Sequence, residues 1–161
     1  MIDPKDEATL RAAIERFYFA YRAFTAGADR VLDGRGLSRV HHRILYFVGR
    51  QPGSSVKDLL ATLAITKQAL NAPLRQLIEQ GLVLSGGDDA DGRVRRLRLS
   101  SEGLRLEAKL TATQMALLAA AFGEAGAAGT AGWFAVMEAV AGKNLVGAPA
   151  VRAARAGRAG R

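Results

Sequence analysis

The sequence predicts a mainly α-helical fold with one small β-hairpin, and three patterns carry this prediction. Two short helical segments, 56–63 and 66–80, follow each other across a junction of about two residues. Two strand-like runs, 82–84 and 96–99, come directly after them and enclose a loop rich in glycine and charged residues. Long helical patterns, in which apolar residues recur every three or four positions, flank this segment on both sides.

Composition is that of an ordinary globular protein of about one domain. The 161 residues are 49% hydrophobic and 24% charged, which is enough for a proper core. The chain has no cysteine, which excludes disulfides, thiolate zinc sites, cysteine nucleophiles and thiol redox sensing. Charged residues interrupt every apolar run before it nears the ~20 residues of a membrane helix, and the acidic start is no secretory signal. We therefore expect a cytoplasmic protein with no membrane partner.

The net charge of +8 is unevenly distributed along the chain. Residues 35–98 hold eleven basic side chains against five acidic ones, and the tail from Lys143 adds five more basic residues with no acid. Residues 1–34 and 99–142 each carry slightly more acidic than basic groups. Such a distribution is expected for a surface that faces a polyanion, although a generically basic protein is the alternative.

The first helix is predicted from Leu10 to the glycines Gly34 and Gly36, which are typical of a helical C-terminus. Its apolar residues recur in steps of four and three over three heptads. These seam residues are Leu10, Ile14, Phe17, Tyr21, Phe24, Ala28 and Val31. The seam could be monomer core, but it equally suits a helix of a second chain.

The second helix is predicted over 38–50, with Ser38 as its N-cap. Its inner face carries Val40, Ile44, Leu45 and Val48. The run Gln51-Pro52-Gly53 ends the helix.

Each helix of the central pair has a predicted cap. Ser55 caps helix 56–63, with Asp58 completing a capping box. Thr66 caps helix 66–80, which ends at Gly81.

After Ser100 a long helix resumes, and a break is expected within 123–132 before a last helix over 133–146. Its predicted seam is Leu104, Ala108, Thr111, Met115, Leu118 and Phe122. Beyond 147 no apolar period remains, so a disordered basic tail is expected. The predicted organisation is therefore an N-terminal helical segment 1–36, a helix-turn-helix and hairpin module 37–100, C-terminal helices 101–146 and a tail 147–161.

Helix 66–80 carries the polar side chains that would contact duplex DNA. Lys67, Gln68, Asn71 and Arg75 lie opposite its apolar side. Gln and Asn can pair bidentately with adenine and Lys with guanine, whereas the alternative is a solvated amphipathic face. In a helix-turn-helix the second helix enters the major groove, which favours the DNA interpretation. The predicted DNA-binding residues are Ser54, Ser55, Thr66, Lys67, Gln68, Asn71, Arg75, Arg93 and Arg95.

Two features qualify this module. Pro73 removes one helical hydrogen bond, so helix 66–80 should bend there or begin later than Thr66, which bears on the exposure of Arg75.

The hairpin places Arg93, Arg95, Arg96 and Arg98 beyond the helix, and an arginine at a hairpin tip suits a narrow minor groove.

The segment resembles the winged helix-turn-helix of the MarR family of bacterial transcription regulators. The wing motif of that family, Asp-x-Arg-x-x-Arg, is matched by Asp91-Gly92-Arg93-Val94-Arg95-Arg96. Its Leu-Thr-x-x-Gly cap corresponds to Leu99-Ser100-Ser101-Glu102-Gly103, and its Leu-x-x-x-Gly-Leu-Val to residues 77–83. The similarity is most specific over 54–106, and the helical layout extends it over about 5–145.

The resemblance implies that Arg93 enters the minor groove, that Asp91 orients it, and that Arg96 braces the wing by pairing with Asp91. A purely structural ion pair of Asp91 and Arg96 is the alternative. The flanking helices would form a homodimer, and the chain would regulate transcription, most often as a repressor, on a pseudo-palindromic operator. A weakly specific architectural protein that relies on its basic tail is the competing function. No catalytic constellation can be assembled, so an enzyme is not expected.

Many members of the family release DNA when a small, often aromatic and anionic, molecule binds between the dimer helices and the DNA module. By that resemblance, the candidate lining is Phe17, Tyr18, Tyr21, Arg22, His41, His42 and Arg43. The alternative is that the aromatic residues are core, one histidine is core and the other is on the surface. The adjacent histidines point about 100° apart on a helix and lack a third ligand, so neither metal nor cofactor is expected.

Overall fold

The computed structural model describes residue 3, residues 5–87 and residues 93–144, and within them a mainly helical chain with one small antiparallel sheet. The predicted fold class is confirmed. In chain order the elements are α1 (Glu7–Asp33), α2 (Arg39–Arg50), β1 (Ser54–Ser55), α3 (Val56–Leu63), α4 (Lys67–Glu79), β2 (Val83–Gly87), β3 (Arg95–Leu99) and α5 (Ser101–Asn144). The predicted tail 147–161 lies outside the described residues.

The predicted caps define where the central helices begin. The Ser55 hydroxyl accepts the Asp58 N–H at 3.1 Å, while the Asp58 carboxylate accepts the Ser55 N–H at 2.9 Å, which is the capping box at the start of α3. The Thr66 hydroxyl accepts the Ala69 N–H at 3.1 Å, so α4 begins at Lys67. The later start considered for α4 is therefore wrong, and the helix continues through Pro73.

The sheet has the strand order β1-β3-β2, so it contains one strand more than the predicted hairpin. The hairpin pairs Val83 with Leu99 and Gly87 with Arg95. The extra strand β1 pairs Ser54 with Leu97, beside a Gly53 N–H that donates to the Leu97 carbonyl at 2.8 Å. The second strand pairing fixes β3 at the centre of the sheet and connects the start of α3 to the hairpin.

One continuous core lies between the helix-turn-helix, the sheet and the adjoining ends of α1 and α5. It is composed mainly of leucine and β-branched residues from every helix and from β3. The largest fully buried side chains are Leu32, Ile44, Leu45, Leu70, Leu77, Leu82, Leu97, Leu110, Val48 and Val83. The two flanking helices therefore contribute to the same core as the central module.

The predicted seams of the flanking helices lie largely outside this core. On α1, Leu10, Ile14, Phe17 and Tyr21 are between 40% and 71% exposed, and only the C-terminal part of the seam reaches the core. On α5, Leu104 and Met115 are exposed, whereas Leu106 and Leu110 make the core contacts. The monomer-core alternative is wrong for these exposed seam residues.

The long final helix is interrupted where a break was expected. Gly126 has φ 70° and ψ −177°, so two helical segments meet at this residue. Within the described residues, no helix is long and apolar enough to cross a membrane.

Ser100 and Gly103 join the end of β3 and the start of α5 to the end of α4. The Ser100 hydroxyl donates to the Gly81 carbonyl at 2.6 Å, and the Ser100 N–H donates to the Leu82 carbonyl at 3.0 Å. The Gly103 N–H donates to the Ser100 hydroxyl at 3.0 Å. A Cβ on Gly103 would overlap the Leu82 carbonyl oxygen, which explains the glycine at this position.

Replacing Gly103 with alanine should therefore destabilise the whole fold. We expect Gly103→Ala to cost about 3 kcal/mol, because backbone rather than a flexible side chain must give way. That loss should lower the melting temperature by on the order of 10 °C in differential scanning calorimetry. Gly86→Ala is the matched control, since a Cβ at Gly86 meets no heavy atom within 4 Å. Equal melting temperatures for the two variants would contradict the overlap.

Candidate nucleic-acid interface

The outer face of α4 presents the four polar side chains that the sequence assigned to it. Lys67, Gln68, Asn71 and Arg75 are all exposed. The opposite face, formed by Leu70, Leu74 and Leu77, is buried against the core. The Arg75 side chain is 75% exposed despite Pro73, and its nearest charged partner is Glu79 at 3.8 Å on the same helix. The helix therefore has one face anchored in the core and one polar face directed outward.

The N-terminal turn of α4 combines a cap with backbone donors. The Thr66 carbonyl accepts the first intrahelical bond, from the Leu70 N–H at 3.1 Å, while the Thr66 hydroxyl caps the Ala69 N–H. The N–H groups of Lys67 and Gln68 precede that first bond and point out of the helix end, where a phosphate can be bound.

The two serines assigned to DNA contact have other surroundings. The Ser55 N–H and, at 2.8 Å, the Ser55 hydroxyl both donate to the Asp58 carboxylate, and these two contacts hold the pKa of Asp58 below its usual value. The Ser54 hydroxyl oxygen is buried, with no hydrogen-bond partner among the described residues. DNA contacts by these serines remain a prediction, because the structure shows the Ser55 hydroxyl in the helix cap and the Ser54 hydroxyl oxygen buried.

The wing is the β2–β3 hairpin, and its arginines fall on both faces of β3. Arg93, Arg95 and Arg98 are exposed. Arg96 is half-buried and donates to the Gly53 carbonyl at 3.4 Å, so it links the wing to the loop before β1. Asp91, the predicted partner of Arg93 and Arg96, lies outside the described residues.

A shallow hollow of about 280 Å³ brings three of the predicted DNA-binding residues together. Asn71 and Arg75 line it from α4, and Arg95 lines it from the wing. Helix α4 and the wing thus border one hollow, in which these three polar side chains lie beside Val56, Leu74, Ile78 and Leu97.

A larger cavity of about 360 Å³ lies between α1, α2 and α5. Of the candidate lining residues, Tyr21, His42 and Arg43 border it, whereas Phe17, Tyr18, Arg22 and His41 do not. The cavity is also bordered by residues that sequence reasoning missed, namely Phe24, Thr25, Ala28, Asp29, Arg39, Tyr46, Phe47, Thr111, Gln114, Met115 and Leu118. Those from α5 could not be found beforehand, because nothing local shows which face of α5 turns inward.

The charged groups of the cavity are partly paired. Arg39 donates to both Asp29 carboxylate oxygens, the shortest distance being 2.8 Å, and this contact lowers the pKa of Asp29. Arg43 donates to the Tyr21 hydroxyl at 3.2 Å. Burial lowers the pKa of His42, which favours its neutral form. Among the residues that the structure describes, Arg43 makes no ion pair, so it is the cation that the cavity offers among aromatic and apolar walls.

The alternative interpretation of these residues needs two corrections. His41 and His42 are both buried, at 6% and 8% exposure, so neither is a surface histidine. Phe17 and Tyr18 are more than half exposed and are not core. Among the described residues, no group of three or more histidine, cysteine or acidic side chains could hold a metal ion.

Comparison with known proteins agrees with this architecture. A family model described as MarR family matches residues 35–94. The chain is 44% identical over 131 residues to the HTH-type transcriptional regulator PetP of Rhodobacter capsulatus, and the alignment covers 81% of this chain and 79% of that protein. Identity at this level over most of both chains is sufficient to establish the family.

Two solved structures support the fold. A MarR family transcription regulator is similar with a TM-score of 0.72 at 21% identity, over 85% of this chain and 91% of its own. PcaV from Streptomyces coelicolor, solved in complex with its natural ligand, is similar with a TM-score of 0.61 at 17% identity, over 89% of this chain and 98% of its own. These similarities confirm the winged helix-turn-helix fold.

Proposed function

Because the chain belongs to the MarR family of DNA-binding transcription regulators, we propose that it binds double-stranded DNA sequence-specifically as a homodimer. Its target is a pseudo-palindromic operator on cytoplasmic DNA, where it acts as a repressor. The observation that carries the proposal is that the exposed polar face of α4 lies beside the wing, where Asn71, Arg75 and Arg95 border one hollow. The segment 37–100 is then the DNA-binding module, and segments 1–36 and 101–146 provide dimer contacts.

The chemistry of the α4 face supports reading of bases rather than attachment to phosphates alone. Gln68 and Asn71 carry amides that can donate to and accept from adenine at the same time. Lys67 and Arg75 supply positive charge on the same exposed face. These side chains extend from a helix whose opposite face is packed in the core. The groups that would contact DNA bases are therefore attached to a rigid element.

The exposed apolar residues of the flanking helices support a homodimer. The first half of the α1 seam is exposed to solvent, and the C-terminal part of α5 exposes Trp133, Phe134, Val136 and Val140. Trp133 and Phe134 also form a ring cluster with Phe122, at centroid distances of 5.3 and 5.9 Å from it. Extended apolar surfaces of this kind mark interfaces, and a second copy is the occupant that a two-fold operator requires. Half-sites about one helical turn apart then follow.

Removing single side chains of the DNA surface should separate affinity from base preference. We expect Arg93→Ala to weaken operator binding about tenfold or more, because a minor-groove contact and a positive charge are both lost. Gln68→Ala and Asn71→Ala should relax base preference at their contacted positions. Selection of bound duplexes from a random DNA pool, followed by titration of the recovered duplex, measures both effects. Arg105→Ala, which removes an exposed arginine from α5, is the control for charge alone.

The same experiment distinguishes the competing architectural function. A chain truncated before residue 147 keeps its sequence preference if the winged helix reads DNA, and loses most of its binding if the basic tail dominates. Binding that is insensitive to the substitutions at 68, 71 and 93 would overturn the proposed function.

Disrupting the exposed seam of α1 should produce a monomer. We expect Ile14→Lys to abolish dimerisation, because it places a charge at the most exposed apolar position of the seam, 71% exposed in the isolated chain. Operator affinity should fall as well, because a monomer contacts only one of the two half-sites. Glu15→Lys, on the other side of α1, is the control, and light scattering after size exclusion measures the mass. A dimeric Ile14→Lys chain would place the interface elsewhere.

The cavity between α1, α2 and α5 supports release of DNA by a small molecule. Aromatic and apolar walls around Arg43 suit a small aromatic anion. We expect benzoate, used as the probe, to weaken operator binding by the wild-type chain and to have little effect on Arg43→Ala. Arg22→Ala is the matched control, because Arg22 does not border the cavity. Equal responses of Arg43→Ala and the wild-type chain would show that the probe acts elsewhere.

A further inference from the structure

The inner side of α4 makes a polar contact that the assignment of DNA-binding residues does not use. Gln76 is half-buried, and its side-chain oxygen lies 2.9 Å from His41 Nε2 on α2. Its side-chain nitrogen donates to the Gly36 carbonyl at 3.1 Å, in the loop between α1 and α2. One glutamine therefore connects the recognition helix to two points 35 and 40 residues away along the chain.

The direction of each hydrogen bond follows from the backbone. The Ser38 N–H donates to His41 Nδ1 at 3.0 Å, so this ring nitrogen is an acceptor. In the neutral ring the hydrogen then resides on Nε2 and is donated to the Gln76 side-chain oxygen. The Gln76 amide is thereby oriented with its nitrogen towards Gly36. The three hydrogen bonds are thus consistent with one tautomer of His41 and one orientation of the Gln76 amide, so the contact is specific in direction as well as in distance.

The other contacts on the inner side of α4 lack this directionality. Leu70, Leu74 and Leu77 are buried there, and apolar packing by leucines tolerates small rotations and shifts of a helix. Two hydrogen bonds from one side chain to separate elements restrict both the rotation of α4 and its position along its axis. Side chains on the outer face that discriminate bases must be held within about 0.5 Å and 10–20° of the productive geometry.

We propose that Gln76 and His41 are positioning residues that fix α4 in the orientation in which Gln68 and Asn71 discriminate bases. The inference rests on the proposed function. In it, Gln76 and His41 touch no DNA and act through α4. Their loss lowers the affinity for the preferred duplex and leaves charge-driven binding to other duplexes intact, because Lys67, Arg75 and the wing arginines remain.

The chain offers a way to separate this role from the capping role of His41. His41 stands three residues after the N-cap Ser38, and Asp58 stands three residues after the N-cap Ser55. There the short Asp58 side chain accepts the Ser55 N–H at 2.9 Å, as His41 Nδ1 accepts that of Ser38. His41→Asn therefore keeps an acceptor for Ser38 while it removes the contact with Gln76.

Two duplexes and four variants test the proposal. The probes are the duplex selected by the wild-type chain from a random pool and a scrambled duplex of equal length. The variants are Gln76→Leu, His41→Asn, the double variant, and His41→Gln, whose amide can still donate towards Gln76. Affinity for both duplexes and melting temperature are measured for each.

We expect Gln76→Leu and His41→Asn each to weaken binding of the selected duplex about tenfold, with little change for the scrambled one. The double variant should be no weaker than Gln76→Leu alone, because both changes break one contact. His41→Gln should regain most of the affinity.

Three results would overturn the inference while leaving the proposed function intact. They are unchanged affinity for the selected duplex, an equal loss on both duplexes, and losses that multiply in the double variant. A lower melting temperature without a change in the affinity ratio gives His41 and Gln76 a purely structural role and also overturns it. A wild-type chain that cannot distinguish the two duplexes overturns the proposed function, and the inference with it.

Discussion

Burial of the apolar face of α4 against α2 and the sheet is the interaction on which the rest of the structure depends. Ile44, Leu45, Leu70, Leu77 and Leu97 are all 0% exposed, and burial of each contributes about 2 kcal/mol. Because these side chains meet in one layer, α4 can direct its polar face outward only while that layer is intact. The caps set where the helices begin, and the wing extends from the same layer through β3. The proposed DNA-binding surface is thus the outer side of the elements that form the core rather than an addition to them.

Elements that carry their own start signals could be predicted closely from the sequence. The start of α3 was predicted from Ser55 and Asp58, because a capping box is decided by residues three apart. Strand β1 was missed, since two residues cannot show an alternating pattern and this strand forms only by pairing with β3. The bridging role of His41 was missed too, because its partner Gln76 is 35 residues away. Local signals specify elements, whereas contacts between distant residues require the fold.

The two flanking helices show why a periodic seam does not identify what covers it. On α5 the seam that the sequence emphasises is exposed at Leu104 and Met115, while Leu106 and Leu110 fill the core. Such a helix packs one face in the core and leaves a second apolar face uncovered. The uncovered face exposes hydrophobic area to water, which is unfavourable in an isolated chain. The same holds for α1, whose first half is open and whose C-terminal end enters the core. The proposed homodimer would remove this cost if a second copy covered both open faces.

The first turn of α2 contacts both α1 and α4 and also borders the cavity. Arg39 pairs with Asp29 on α1, His41 contacts Gln76 on α4, and His42 borders the cavity. Residues of one helical turn move together, because their backbone hydrogen bonds hold them as a rigid unit. A molecule in the cavity that shifted the backbone of this turn would therefore also move His41 relative to Gln76. The proposed effector cavity and the proposed positioning contact thus share one structural element, through which binding at the cavity would reach α4 if it moved this turn.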